Sequence, residues 1–418
     1  MNHFIYKNDA LYCEDISVTD IAKEIGTPFY LYSHATIKRH FHVFEEAFNG
    51  LDHLTCYSVK SNSNIAILRI FALLGGGADI VSGGELFRAL KAGISPEKIV
   101  FSGVGKTSKD MEEALRSNIL MLNVESYQEL QALNTIAKGT GRRATIAIRI
   151  NPDVKPDTHR YITTGSKENK FGIPIKESLR VYESACKLEH IDIKGISCHV
   201  GSQLTDIAPF VEALKKLKEL LSELNNIGIH IKFLNLGGGL GITYNDEKPP
   251  HPSQYAQALK EVIENDNVTL ILEPGRVIIG NAGILVTRVI YTKSISDKNF
   301  IIVDAGMNDL IRPALYDSFH SIQPVKMSDS KMITADLVGP VCETGDFFAR
   351  DRKMPSFKPG DLVAIMSSGA YGFSMASNYN SRPRPPEVLV KENGFSVIRP
   401  RETYDDLIDG EKIPEFLE

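Results

Sequence analysis

Short apolar runs recur at nearly even spacing along the first two thirds of the chain, each followed by a stretch with helical period. Eight of them read as strands: 54–60 LTCYSVK, 78–82 ADIVS, 98–103 KIVFSG, 120–126 LMLNVES, 145–151 TIAIRIN, 193–201 IKGISCHVG, 232–237 KFLNLG and 268–273 VTLILE. The segments between them are amphipathic. In 126–139, SYQELQALNTIAKG, Ser126 and Glu129 form a capping-box pattern, and Gly139 is a suitable stop. The run 205–228 has the same helical period. Strands alternating with helices imply a parallel sheet. Eight repeats favour a closed (β/α)8 barrel of the TIM type over the alternative, a doubly wound open sheet.

After residue 280 the rhythm changes. ILVTRVIYTKSI, FIIVDAG, MITADLVG, GDLVAIMSSG and EVLVKENGFSVIRPR are strand-like with few helices between them, and Asn393-Gly394 signals a hairpin turn. The predicted architecture is α/β: an N-terminal segment 1–30 that packs on the β-domain or on the barrel, a barrel over 31–280 and an all-β domain over 281–418, cut near Asn281-Ala282-Gly283.

Composition narrows the class. With 418 residues, 43% hydrophobic and 24% charged, the chain has the makeup of a globular protein with room for two domains. A net charge of −5 and the lack of a basic run argue against nucleic acid as a partner. No apolar run is long enough to span a membrane, and the first residues lack the basic start and apolar core of a signal peptide. Cys13, Cys56, Cys186, Cys198 and Cys342 are odd in number and never spaced C-x-x-C, which predicts reduced thiols, no zinc site and a cytoplasmic location.

The chemistry collects where a barrel keeps it, at the carboxyl ends of the strands. Lys60 ends the first strand, Asp79 lies in the second, Arg149 in the fifth and His199 near the end of the sixth. The seventh runs into NLGGGLG (235–241) and the eighth into EPGR (273–276). A strand-end lysine ordinarily snorkels to water, but a partly buried one loses its proton easily and becomes an amine nucleophile. A glycine run alone is weak evidence, and GGGLGI fails the G-x-G-x-x-G dinucleotide pattern because Ile242 holds its last position. Glycines on the loop after strand seven do suit a phosphate. A lysine that can hold an aldehyde, a phosphate cradle and the carboxylate Glu273 for a ring nitrogen are together what pyridoxal 5'-phosphate requires.

The same residues carry a family resemblance. YSVKSN, GGADIVSGGEL, CHVGSQ, NLGGGLGI, EPGRVIIGNAG, DAGMNDLIRPALY, GPVCETGDFFARDR and GAYGFSMASNYNSRPRPPEVLV resemble, in order, the motif series of diaminopimelate decarboxylases. That family lies within the ornithine, diaminopimelate and arginine decarboxylases, which belong to the alanine-racemase-like, barrel-plus-β-domain group of pyridoxal phosphate enzymes. The match runs from about residue 25 to residue 390 and departs at Ser61, where alanine is usual.

The resemblance implies roles position by position. Lys60 holds the cofactor's aldehyde, with Asp79 beside the cofactor and His199 stacked on its ring. Ser202, Gly238, Gly239, the Glu273-Pro274-Gly275-Arg276 backbone and Tyr371 take the phosphate, and Glu273 pairs with the pyridine nitrogen. Arg276, Arg312, Tyr316, Glu343 and Tyr371 bind substrate, and Cys342 donates a proton from a loop that reaches the partner's site in a homodimer. Two arginines suit the distal carboxylate of meso-diaminopimelate, which an ornithine- or arginine-type decarboxylase does not need. Such a sibling decarboxylase, a cofactor-independent lysine aldolase and a non-catalytic pyridoxal phosphate carrier are the alternatives. The aldolase needs neither a glycine cradle nor a β-domain, and residues 281–418 argue against the carrier.

Overall fold

A computed structural model of the chain describes residues 2–154, 170–263 and 266–417. The chain forms two compact units, one of Lys38–Ile278 and one of Met1–Ile37 with Ile279–Glu418.

The Lys38–Ile278 unit is a closed barrel. Its eight strands are His53–Ser58, Gly77–Ile80, Ile99–Phe101, Met121–Val124, Ala144–Asn151, Ile191–Ser197, Phe233–Asn235 and Thr269–Leu272. Each pairs in parallel with the next, and strand eight pairs with strand one. Closure excludes the open sheet. Helices follow the strands, and those after strands one to four have side-chain caps at their starts, from Asn64, Ser82, Thr107 and Ser126. At Ser108–Arg116, Thr107 and Asp110 exchange side-chain and backbone hydrogen bonds in a full capping box. The box read at Ser126 is offset: Ser126 accepts from the Glu129 N–H, but the Glu129 carboxylate accepts from Glu125 N–H instead. That helix runs through Gly139, and left-handed Gly141 follows it.

The interior of the barrel is layered. Cys56, Val100, Met121, Ala147, Phe233 and Ile271 form one apolar cluster from six strands. The other two strands contribute glycines. A Cβ on Gly77 would lie 2.2 Å from the Lys98 carbonyl, and one on Gly195 would lie 2.9 Å from the Ala147 Cβ, so the layer closes only with no side chain there. Two residues further along, each strand points inward again. These positions are Ser58, Asp79, Ser102, Asn123, Arg149, Ser197, Asn235 and Glu273, and every one is buried and polar. Period two thus sets a ring of eight polar side chains on an apolar floor, at the carboxyl ends of the strands.

In the other unit, Gly283–Ile295 is the long central strand. It pairs with Lys298–Val303, Leu362–Ile365 and Phe29–Ser33, all antiparallel. Phe29–Ser33 also pairs in parallel with Glu387–Lys391, so a strand from the first 37 residues sits inside this sheet. The hydrophobic pattern alone predicts no strand there. Phe4, Leu11, Val18 and Ile21 share a core cluster with Leu31, Ile284, Val286 and Val388. Glu14 ties the segment down further: its carboxylate accepts from Ser33 Oγ, Ala35 N–H and Glu392 N–H. The hairpin forms one residue earlier than Asn393-Gly394 suggested. Lys391 faces Gly394, and Glu392, at φ +57°, opens the turn where Glu14 holds its N–H. Leu31 is fully buried between two partner strands. Leu31→Ala is expected to destabilise this unit by about 2–5 kcal/mol, read as a lower urea midpoint.

Candidate active site

The first strand ends at Ser58, and Val59–Ser61 forms a single 3₁₀ turn, so Lys60 stands just past the strand and not on it. Ser61 fixes that turn by donating to the Ser58 carbonyl at 2.7 Å. Lys60 Nζ donates to Asp79 Oδ2 at 2.6 Å, from a side chain 39% exposed to one fully buried. Ser58 Oγ lies 2.9 Å from the same oxygen. The second oxygen, Oδ1, is buried and has no hydrogen-bond partner among the described residues.

Glu273 follows strand eight as a buried carboxyl. Asn235 Nδ2 donates to its Oε1 at 2.6 Å, and Asn235 Oδ1 accepts from Gly237 N–H at 2.8 Å. One amide thus aims Glu273 and starts the glycine turn. Burial, with the charge of Asp79 next, pushes the Glu273 carboxyl up from its ordinary value.

The glycine turn is close-packed. A Cβ on Gly238 would lie 2.1 Å from the Glu273 carbonyl, and one on left-handed Gly239 would lie 2.3 Å from the Gly201 carbonyl. Backbone from the loops after strands six and eight therefore converges on residues 237–239. Gly238 N–H donates to His199 Nδ1 at 3.3 Å, which leaves the ring proton on Nε2. Burial, then the charges of Arg149 and Lys60, hold His199 well below the usual imidazole range, so it is neutral. Arg276 opens a short helix after Pro274-Gly275, and its guanidinium donates to Tyr244 Oη at 2.6 Å and to Ser202 Oγ at 3.1 Å. A Cβ on Gly275 would press on Ser58 and Ser61 at 3.0–3.1 Å, which packs this loop onto the lysine turn.

The remaining candidates belong to the other unit. Arg312 and Tyr316 are the two ends of helix Arg312–Tyr316. Arg312 is buried; its Nη1 lies 3.1 Å from His320 Nε2, and its Nη2 donates to Ser318 Oγ at 3.3 Å. His320 Nδ1 lies 2.9 Å from the Met366 carbonyl, so Nδ1 carries the proton and Nε2 accepts from the arginine. Cys342 and Glu343 are exposed neighbours on a loop organised by Asp346, whose carboxylate accepts from Met307 and Val341 N–H groups. The Cys342 N–H donates to Asn380 Oδ1. Tyr371 sits in a left-handed conformation at φ +56°, an unusual one for a tyrosine and a form of strain that collects at functional sites. The structure thus gathers Lys60, Asp79, His199, Ser202, Gly238, Gly239, Glu273, Gly275 and Arg276 in the barrel. Arg312, Tyr316, Cys342, Glu343 and Tyr371 lie in the second unit.

Residues 34–280 match the family model described as pyridoxal-dependent decarboxylase, pyridoxal binding domain. A diaminopimelate decarboxylase of Aquifex aeolicus is 51% identical over 97% of this chain and 96% of its own length, and one of Vibrio cholerae is 50% identical over 97% and 98%. The chain belongs to the diaminopimelate decarboxylases. Among solved structures, the Helicobacter pylori diaminopimelate decarboxylase complexed with L-lysine superposes with a TM-score of 0.91 at 46% identity, covering 94% of this chain and 98% of that one. The M. jannaschii enzyme in complex with L-lysine gives 0.95 at 39% identity, covering 99% of both.

The barrel residues fit the cofactor of this family. The partnerless buried oxygen of Asp79, a carboxyl kept up by burial at Glu273 and a glycine turn with no room for a Cβ at Gly238 suit a group with a cationic ring nitrogen and an anionic tail. Sequence reasoning noticed Arg149 but gave it no role, and it missed Asn235 and Tyr244 altogether. The signal for Asn235 was its period-two spacing from Phe233; Tyr244 had none.

Proposed function

We propose that the protein converts meso-2,6-diaminopimelate to L-lysine and CO2 with pyridoxal 5'-phosphate, the last step of lysine biosynthesis. The observation that carries this reading is Lys60 held at 2.6 Å on fully buried Asp79, in the same polar ring as buried Glu273. When bound, the cofactor supplies a protonated pyridine ring that takes up the electron pair left behind as CO2 departs.

The chain's residues do the rest. Lys60 is the amine that holds the cofactor's aldehyde, and Asp79 fixes where that amine sits. Glu273, aimed by Asn235, favours a protonated ring nitrogen, because an opposite charge nearby raises a base's pKa. An arginine there would leave a poorer electron sink and suit racemisation instead. His199 lies on the ring face as a neutral imidazole. Gly238, Gly239, Ser202, the backbone of residues 273–276 and Tyr371 hold the phosphate. Arg276, Arg312, Tyr316 and Tyr371 take the substrate, with Arg312 on the distal carboxylate and Glu343 on the distal ammonium. Cys342 returns one proton to the carbon that lost CO2. Its exposure, and that of Glu343, support a homodimer in which this loop completes the partner's site. Five free cysteines, and no helix among the described residues long and apolar enough to cross a membrane, support a cytoplasmic location.

The test of substrate identity is Arg312→Lys. An ammonium cannot reproduce the planar fork that now contacts His320 and Ser318 and would meet a carboxylate in two places. Each lost charge-assisted bond costs about 1.5–3 kcal/mol, so kcat/KM for meso-diaminopimelate should fall by about 10- to 100-fold with cofactor content unchanged. The variant's preference for meso-diaminopimelate over lysine and ornithine should shrink as well. Equal losses on all three substrates would remove Arg312 from the distal carboxylate.

A further inference from the structure

The polar ring holds a charge that none of the roles above uses. Arg149, on strand five, is 8% exposed and two residues past Ala147 of the apolar layer, so it points into the barrel mouth. It is in register with Ser197, the last residue of strand six, and His199 follows two residues later in the chain. A guanidinium on a long side chain reaches that far along an adjacent strand.

Arg149 is held from behind by a buried network. Its Nη1 donates to Glu125 Oε1 at 2.7 Å, and its guanidinium carbon lies 4.9 Å from the centre of the Phe171 ring. Glu125, 5% exposed, accepts two further bonds, from Gly103 N–H at 2.8 Å and Gly172 N–H at 3.2 Å. Its carboxylate therefore joins the loop after strand three, its own strand four, strand five and the chain that returns at residue 172. Glu125 is fixed in turn: its N–H donates to Glu129 Oε2 at 2.8 Å. Glu129 Oε1 accepts at 2.7 Å from Lys106, whose side chain is fully buried and also donates to the carbonyls of Gly103 and Asn123. Two cations and two carboxylates alternate through this wall of the barrel, and only the guanidinium end faces the mouth.

We infer that Glu125 is a positioning residue for the reaction, acting through Arg149, whose guanidinium it holds in the barrel mouth beside the strand that leads to His199. The inference rests on the proposed placement of His199 against the cofactor. A neutral ring there leaves the positive charge to the pyridine that must carry it. A second positive ring against the cofactor would compete with that charge by like-charge repulsion. Among the described residues, the charged groups around His199 are Arg149 from strand five, with Glu125 as counter-ion, and Lys60 from the turn after strand one, with Asp79 as counter-ion. Strand eight adds Glu273, and Cys198 and the Gly238 N–H adjoin the ring.

Two measurements test this, and the first needs no cofactor. In the cofactor-free chain labelled with 15N-histidine, with His199 assigned by its loss in His199→Asn, the wild-type ring should stay neutral as the Nε2–H tautomer down to pH 5.5. In Arg149→Met it should titrate at a pH higher by about one unit or more, and Arg149→Lys should restore most of the wild-type behaviour. The second is a double-mutant cycle on the holoenzyme. Glu125→Gln and Arg149→Met should each lower kcat at least about tenfold with KM and cofactor content little changed, and the double variant should be no worse than Arg149→Met alone. An unchanged His199 titration in Arg149→Met would overturn the electrostatic role even if turnover fell. Additive losses in the cycle would overturn the claim that Glu125 acts through Arg149. Loss of diaminopimelate turnover by the wild-type holoenzyme would overturn the proposed function instead, and would leave the titration result standing.

Discussion

Lys60→Ala is expected to lose turnover by about three orders of magnitude or more, on the order of 4 kcal/mol or more at the transition state. The wild-type holoenzyme should show a visible cofactor band that borohydride fixes to the protein, and the variant should show neither. The structure makes this a sharp expectation because no second lysine in the described barrel mouth is set up in the same way. Lys60 has a partly exposed side chain on a turn at the strand's end and one close buried partner, Asp79. Lys106, a lysine in the upper barrel wall, is fully buried and held by Gly103, Asn123 and Glu129. It cannot reach an aldehyde without breaking all three bonds. A variant that still became covalently labelled on borohydride treatment would place the anchor on another lysine.

Glu273→Gln separates chemistry from binding. The change keeps the shape and keeps an oxygen for Asn235 Nδ2, but removes the negative charge. The ring nitrogen then gives up its proton more easily, and turnover should fall by about 10²-fold, roughly 2.7 kcal/mol, while the cofactor still binds. The cofactor-free protein should respond in the opposite direction. Burial and Asp79 raise the folded-state pKa of Glu273 from 4.5 to about 8. For a group whose folded pKa is raised, its contribution to stability is full below the unfolded pKa and is lost as pH climbs through that window. Glu273→Gln has no such proton to lose. Its cofactor-free form should therefore melt higher than wild type at pH 8, with the gap closing towards pH 4.5. Melting curves of the two cofactor-free proteins at several pH values check the sign, and a variant that melted lower at pH 8 would show that the carboxylate is satisfied without a cation.

The barrel was legible because its strands are short, apolar and evenly spaced. Its charged positions stood out because Lys60, Asp79 and Glu273 interrupt or end apolar runs where burial is otherwise uniform. The polar ring was equally available, since each member lies two residues after an apolar-layer position. It needed the layer to be known first, which explains why Asn235 was missed and Arg149 left without a role. The sheet of the second unit was harder to read. Phe29–Ser33 is a plain buried strand, but its partners at Gly283–Ile295 and Glu387–Lys391 lie more than 240 residues away, and nothing local specifies that pairing. The hairpin offset has the same origin. Asn393-Gly394 is the better turn locally, yet Glu14, from the other end of the chain, captures the Glu392 N–H and shifts the turn by one residue. The strand Phe347–Pro355 was overlooked because its exposed charged residues hide the apolar ones.

The reaction itself is open to direct product analysis. Purified protein loaded with pyridoxal phosphate would be given meso-diaminopimelate in D2O, with CO2 and L-lysine measured together. The expected result is equal amounts of the two, one deuterium on the carbon that lost CO2, and slower turnover of ornithine and arginine under the same conditions. No lysine from meso-diaminopimelate, or faster release of CO2 from ornithine or arginine, would contradict it.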